Sequence, residues 1–262
     1  IGGLDPAGIT GGGHAPMAPA RAETEAPFRR STHCVALEQL GLNAVDWRKV
    51  DRYLDVTKSA LLFGGRVLLV EGIAEALLFP VIAREYVLKG RHGDLQRFRS
   101  SVFVPIDSVD FEPYVRLLLT AVCGTRVADR LVVVTDGDGG GPGGLKPPGE
   151  LRKEKLDAIA LELQALEIFE AVTNTYSLEV EVVAAGNAAL LKTVYLELRP
   201  NSEEKWDTAV AETGDAQAKA VRDLFKSTRK GDFAQILAER ITEGEAFTTP
   251  SYIVAAIEAL VR

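Results

Sequence analysis

Four acidic residues occupy positions where a sheet would gather them. Glu71 directly follows the apolar run Val67 to Val70 and precedes Gly72, which lets the chain turn; Glu75 falls in the first turn of the helix beyond. Asp136 and Asp138 follow the run Leu131 to Val134 in the stretch Thr-Asp-Gly-Asp-Gly-Gly-Gly. Side chains two apart in extended chain point to the same side. Ligands in open parallel sheets bind beyond the carboxyl ends of the strands. If these two runs are neighbouring strands, three or four carboxylates meet in one crevice. Close carboxylates repel, and the fully ionised state is stable only with compensating cations. Oxygen-only ligands favour Mg²⁺ or Mn²⁺, with waters and substrate phosphate completing the shell. Two such ions about 4 Å apart could activate a water on one side of a phosphodiester and stabilise the leaving oxygen on the other.

Other chemistries share parts of this pattern. Glu75 alone also fits an acid favourably placed against a helix dipole, and Asp-Gly-Asp-Gly alone also fits a turn. A calcium loop of the EF-hand kind needs a bidentate Glu at its twelfth position, where counting from Asp136 gives Pro147. A haloacid-dehalogenase-like phosphatase also ends a buried strand in Asp-x-Asp, but that pattern continues with Thr or Val where this chain has Gly140, and here the motif follows two other strands. A metal-binding or dimerisation module without catalysis is the third reading. Nucleophilic serine chemistry finds no G-x-S-x-G elbow. His14, His33 and His92 sit in loop-like surroundings and read as surface residues. Cys34 and Cys123 are far apart, which offers neither a disulfide framework nor a zinc finger and fits a reducing cytoplasm; Cys123, at the end of an amphipathic helix, reads as packing.

The elements that must position these acids are legible as alternating patterns. Val67 to Val70, Val102 to Pro105 and Leu131 to Val134 are short continuous apolar runs, as in strands buried on both faces of a parallel sheet. Glu75 to Leu88 and Phe111 to Val122 supply crossover helices, which gives a doubly wound α/β core. An amphipathic helix over Asp46 to Phe63 leads into the first strand. Ten of the thirteen residues from Gly137 to Gly149 are Gly or Pro, so this stretch is loop. A helix is expected over Glu150 to Val172, then a strand with one wet face over Ser177 to Val183, where Leu178, Val180 and Val182 alternate with Glu179 and Glu181. The remainder reads as helices: Asn187 to Leu198, Glu203 to Thr228, Phe233 to Thr242 and Ser251 to Val261.

Thirty Lys and Arg against thirty-seven Asp and Glu leave a net charge of −7, which argues against binding nucleic acid by bulk charge alone. No stretch reaches the roughly 20 apolar residues of a membrane span. Residues 1 to 30 mix Gly, Pro, Ala and scattered charge without periodicity, and read as a linker or frayed terminus. The chain starts at Ile1, with its one methionine at Met17, and its N-terminus reads as a cut edge.

LLVEGIAEALLFPVIA at Leu68 to Ala83, followed by VVVTDGDGG at Val132 to Gly140, resembles the Toprim domain shared by topoisomerases, primases and a group of nucleases. YLDVTKSALLFGGRVLLVEG (Tyr53 to Gly72), TYSLEVEVVAAGN (Thr175 to Asn187) and KGDFAQILAERI (Lys230 to Ile241) resemble the C-terminal region of OLD-family nucleases, from about Asp51 to the end. The resemblance implies a Toprim-like, mostly parallel α/β sheet with an attached helical domain, cutting DNA by two-metal catalysis with Mg²⁺ or Mn²⁺ downstream of an ABC-type ATPase domain, and a homodimer. On that resemblance the domains are 1–45 as linker or ATPase remnant, 46–185 as the catalytic domain and 186–262 as helical. It implies Glu71, Glu75, Asp136, Asp138 and Glu179 as metal ligands, with Glu71, Asp136, Asp138 and Lys230 in catalysis; a solvated strand face remains the alternative for Glu179. None of the pairs at Lys58, Lys192 and Lys226 follows a glycine as a P-loop requires, so no ATP site is expected here.

Local basic patches could still meet a phosphate backbone. Arg84 to Arg99 carries a local excess of three positive charges, and Lys219 to Lys230 an excess of four. The spacing of Lys219, Arg222, Lys226 and Arg229 aligns them along one helix face leading to Lys230. They are the candidate DNA-backbone contacts, although such a run is also commonly a solvated face. Phe225 is the one aromatic residue in that run, too few to indicate base stacking, which points to weak sequence preference.

Overall fold

The computed structural model describes residues 37–53, 62, 65–140 and 145–262. Three apolar runs become strands as their patterns require: β1 (Arg66–Val70), β2 (Val102–Pro105) and β3 (Arg130–Thr135). With β4 (Phe169–Thr173) they form one all-parallel sheet in the order β2-β1-β3-β4. This is the α/β, Toprim-like architecture expected.

The helices are α1 (Ala44–Tyr53), α2 (Ile73–Ile82), α3 (His92–Arg99), α4 (Glu112–Leu119), α5 (Pro148–Glu162) and α6 (Leu178–Val182). They continue with α7 (Ala188–Leu198), α8 (Glu203–Ala211), α9 (Gly214–Phe225), α10 (Lys230–Thr242) and α11 (Ser251–Val261). Wider π turns extend α2 through Ala83–Val87 and α6 through Val183–Asn187.

Alternation along each strand splits the core between the two sheet faces. Val67, Leu69, Leu131 and Val133 pack with Tyr114, Leu118, Leu156 and Ile159 from α4 and α5. Leu68, Val70, Val132 and Val134 pack on the other face with Leu78 and Phe79 from α2, Leu237 from α10, and Ile253 and Ile257 from α11. The helices after residue 186 therefore share the sheet's core. The clamp is polar as well: Arg66 Nη1 donates to the Leu260 carbonyl at 2.6 Å and Arg130 Nε to the Ala259 carbonyl at 2.7 Å. Residues 35–262 form a single compact unit. Among the described residues no helix is long and apolar enough to cross a membrane.

The structure corrects several elements. The stretch read as one helix over Glu150 to Val172 ends at Glu162, and β4 begins at Phe169. Between them Gln164 turns the chain at φ 53. The reading failed because Leu163, Leu166, Phe169 and Val172 keep a helical spacing and no Gly or Pro marks the break. Ser177 to Val183 is no strand: the extended Ser177 precedes α6, and Glu181 Oε1 accepts the Thr175 N–H at 2.9 Å. Glu179 is as buried as Leu178 and Val182, so the expected wet face does not exist. Glu203 to Thr228 is two helices broken at Glu212 and Thr213. His92 opens α3 instead of lying in a loop, and Cys123 is exposed in a tight turn at φ 52 instead of packed. The helix expected over Asp46 to Phe63 is observed to Tyr53; most of its remainder, with Lys58, His14, His33, Cys34 and the N-terminal linker, lies outside the described residues.

Ile253 has no exposed surface and sits where α11 meets the sheet. Ile253→Ala should cost about 2–5 kcal/mol in urea unfolding, through lost burial and the cavity left behind. A loss below about 1 kcal/mol would contradict a core shared between the sheet and the last helix.

Candidate functional site

The strand order creates the crevice. From β1 the chain crosses to β2 on one side, and from β3 to β4 on the other, so the neighbouring carboxyl ends of β1 and β3 form a topological switch point. Val70 is in register with Val134. Glu71 therefore emerges opposite Thr135 with Asp136 one residue on, and Thr135 Oγ1 donates to Glu71 Oε1 at 2.5 Å while the Asp136 N–H donates to the same oxygen at 2.8 Å. Gly72 in extended conformation then starts α2, which brings Glu75 inward within its first turn.

A cavity of about 350 Å³ lies at this point, lined by Glu71, Glu75, Asp136 and Lys230, with Asp107, Ser108 and Val109 of the β2–α4 loop on the far wall. Two larger grooves lie elsewhere: one between α8 and α9, the other between α2 and α10. Neither gathers the residues of these motifs.

The Asp-Gly-Asp loop is stitched to the segment following β4. Asn174 accepts the Gly137 N–H at 2.8 Å on Oδ1 and donates through Nδ2 to Asp136 Oδ1 at 2.7 Å. The Asp138 N–H donates to the Tyr176 carbonyl at 2.9 Å. Gly137 is required here, since a Cβ would lie 2.3 Å from the Asn174 carbonyl oxygen. Asp138 adopts φ 62, a region that Asn and Asp enter more readily than most residues. Asp138 is not among the residues lining the cavity. Asp138 is exposed, and its Oδ2 accepts from Arg152 Nη2 at 2.8 Å.

Glu179 comes from the first turn of α6. It is 1% exposed and meets Lys230 Nζ at 3.0 Å as an ion pair, yet neither carboxylate oxygen accepts a well-directed hydrogen bond. Tyr252 of α11 is buried beside the cluster.

Burial and mutual repulsion act in the same direction on these acids. Burial raises the Glu75 carboxyl to about 7, with Glu179 and Glu71 adding to the rise and Lys230 opposing it. Burial, then Glu75 and Glu71, hold Asp136 well above the usual carboxylate range. Glu71 is raised by burial, against the pull of Thr135, the Asp136 N–H and Arg152. Burial works against the Lys230 ammonium, but Glu179, Asp136 and Glu75 together carry it above the ordinary lysine value.

Three acids and the lysine thus line one cavity, while Asp138 is linked to Glu71 through Arg152 and Glu179 is paired with Lys230. Among the described residues, no three acids close around a single point as a finished cation cage. Four of the five are turned instead toward a protein side chain: Glu71 and Asp138 to Arg152, Asp136 to Asn174, Glu179 to Lys230. The donor set still fits a hard divalent cation. It is all oxygen, its charges repel, and the buried Glu179 oxygens lack hydrogen bonds.

The basic run divides differently from the expectation. α9 ends at Phe225, so Lys226 caps it and Arg229 precedes α10; the four do not share one helix face. Lys226 pairs with Asp223 at 2.6 Å and Arg229 with Asp232 at 3.0 Å, while Arg222 Nη1 lies 3.5 Å from the Asp138 carbonyl. Lys219 is exposed.

Sequence reasoning missed Arg152 and Asn174. Arg152 follows the glycine-rich loop by a helical turn among other charges, and Asn174 falls between the helix expected over Glu150 to Val172 and the strand expected over Ser177 to Val183; neither carries a local signal.

Among solved structures, the C-terminal region of the Burkholderia pseudomallei OLD protein matches at 22% identity and a TM-score of 0.57, over 76% of this chain and 98% of its own. The C-terminal region of the Xanthomonas campestris pv. campestris OLD protein matches at 24% identity and a TM-score of 0.53, over 76% of this chain and 95% of its own. This chain has the OLD C-terminal fold. No protein-family model matches the sequence, and neither does any curated protein. In this OLD-type fold the acids stand at the carboxyl edge of the sheet, where two crossovers diverge.

Raised carboxyl values have a stability consequence. A group whose folded pKa exceeds its ordinary value stabilises the fold below the ordinary value and loses that contribution as pH rises through the folded one. For Glu75 that window runs from 4.5 to about 7. In chelator-treated protein, stability should fall across this window by on the order of 3 kcal/mol from Glu75. Glu75→Gln should flatten the profile and be the more stable form above the window; urea titrations with parallel profiles for both proteins would contradict this.

Proposed function

We propose that this chain is a metal-dependent DNA endonuclease that hydrolyses phosphodiester bonds at the β1/β3 crevice using Mg²⁺ or Mn²⁺. The observation that carries the reading is the convergence of Glu71, Glu75 and Asp136, from two strand ends and a helix start, with Lys230 on the wall of one cavity. Glu71, Glu75, Asp136, Asp138 and Glu179 carry five negative charges when ionised, and Lys230 and Arg152 return two positive ones. The remaining three negative charges are balanced by two divalent cations together with one bound phosphodiester. A single cation with the same phosphate leaves an excess of two negative charges.

When bound, the cations would supply an activated water and neutralise charge developing at phosphorus. The chain's own residues supply the frame. Glu71 and Asp136 hold fixed positions because their strands are in register and the Asp136 N–H donates to the Glu71 carboxylate across the crevice. Lys230, half-exposed and charged, can contact a phosphate oxygen while Glu179 fixes the direction of its side chain. Arg222 beside the Asp138 loop, with Lys219, Lys226 and Arg229 beyond it, would bind the flanking backbone. Such contacts neutralise phosphates without reading bases, which agrees with weak sequence preference. The relatives in structure are C-terminal regions, and the same reading makes this chain the nuclease part of a longer cytoplasmic protein with an ABC-type ATPase domain, assembled as a homodimer.

Plasmid nicking with and without Mn²⁺ tests the proposal. The unaltered chain should nick only with metal, and Asp136→Asn should cut about 100-fold more slowly or worse. Lys230→Ala should lower kcat while leaving the Mn²⁺ Kd within about threefold. Full-rate nicking by Asp136→Asn would overturn the site. Hydrolysis of p-nitrophenyl phosphate through a covalent aspartyl-phosphate, without nicking, would favour the phosphatase reading.

A further inference from the structure

Arg152 of α5 makes more hydrogen bonds to the acidic motifs than any other described side chain. Its Nε donates to Thr135 Oγ1 at 2.9 Å. Its Nη2 donates to Asp138 Oδ2 at 2.8 Å, to Glu71 Oε1 at 3.3 Å and to the Asp136 carbonyl oxygen. The side chain is 19% exposed, as is that of Glu71, so the Arg152–Glu71 contact is shielded from water more than a surface ion pair, while Asp138 is exposed.

The bonding uses the carboxylate oxygens unequally. Glu71 Oε1 takes Thr135, the Asp136 N–H and Arg152, while no described hydrogen bond engages Oε2. Asp138 is held through Oδ2 and Asp136 through Oδ1, the latter by Asn174; their second oxygens likewise have no described hydrogen bond. The acids would otherwise swing apart, because Asp138 lies on an exposed turn and like charges repel.

We propose that Arg152 is a positioning residue, whose guanidinium ties Glu71 to Asp138 through one oxygen of each and so leaves their other oxygens oriented for a divalent cation. The inference rests on the nuclease reading above. A planar fork is needed for this, since one guanidinium serves a hydroxyl, a carbonyl and two carboxylates at fixed angles, which a lysine ammonium cannot reproduce.

The alternative role is a plain counter-charge, and it predicts the opposite sign. Removing a competing positive charge would tighten cation binding, whereas removing a positioning group loosens it. Calorimetric titration of the full chain with Mn²⁺ should therefore show Arg152→Met and Arg152→Lys each raising the Kd by about 10- to 100-fold, the range for groups that orient metal ligands. Nicking by both variants should be slow at limiting Mn²⁺ and recover toward the unaltered rate at saturation. An unchanged or lower Kd in Arg152→Met overturns the assignment, as does Arg152→Lys binding Mn²⁺ as the unaltered chain does. If Arg152→Met does not fold, Arg152→Lys, which keeps the charge, decides alone. An unaltered chain that neither binds Mn²⁺ nor nicks DNA removes the nuclease reading itself; one that does both, beside Arg152 variants with equal affinity, removes only the role of Arg152.

Discussion

Carboxylates crowded at a sheet edge lose hydration and repel one another at the same time, so the fold that gathers them must also supply opposing charge. Here the acids come from two strand ends, a helix start and a second helix start far along the chain. Two cationic side chains answer them from within the protein: Arg152 across Glu71 and Asp138, and Lys230 against Glu179. That leaves the cluster short of neutrality and the carboxyl groups of Glu71, Glu75 and Asp136 raised. On the proposed reading, cations and phosphate would complete an arrangement this costly in the isolated chain.

The rest of the architecture serves this edge. Parallel register sets Glu71 opposite Thr135, and the diverging crossovers leave the crevice open. Asn174, after β4, fixes the Asp-Gly-Asp loop from its far side. α10 packs on α2 so that Lys230 and Glu75, from distant parts of the sequence, face one cavity. α11 then closes the same sheet face and is anchored at its far end by Arg66 and Arg130. The late helices are thus needed both for the core and for the lysine.

What could be read from the chain alone follows from the range over which each signal acts. The three uninterrupted apolar runs announced β1, β2 and β3, because strands buried on both faces need no alternation. Glu71, Glu75 and Asp136 were legible for the same reason, since they abut those runs. Glu179 and Lys230 were reached only through resemblance. The local pattern around Glu179 alternates like a strand, and only the tertiary burial of α6 turns that glutamate inward. β4 was hidden inside a helical spacing, and with it the position of Asn174. Arg152 was invisible because an arginine on a charged helix looks the same whether it meets water or two carboxylates.

The most direct measurement is a crystal structure of the chain grown with Mn²⁺, with the ions located by anomalous scattering. The account predicts strong peaks within the Glu71, Glu75 and Asp136 cavity, bound by oxygens of those residues and joined by Glu179 or by the Asp138 oxygen that Arg152 leaves free. Mn²⁺ confined to other surface acids, with these carboxylates still bound only to Arg152, Asn174 and Lys230, would contradict it.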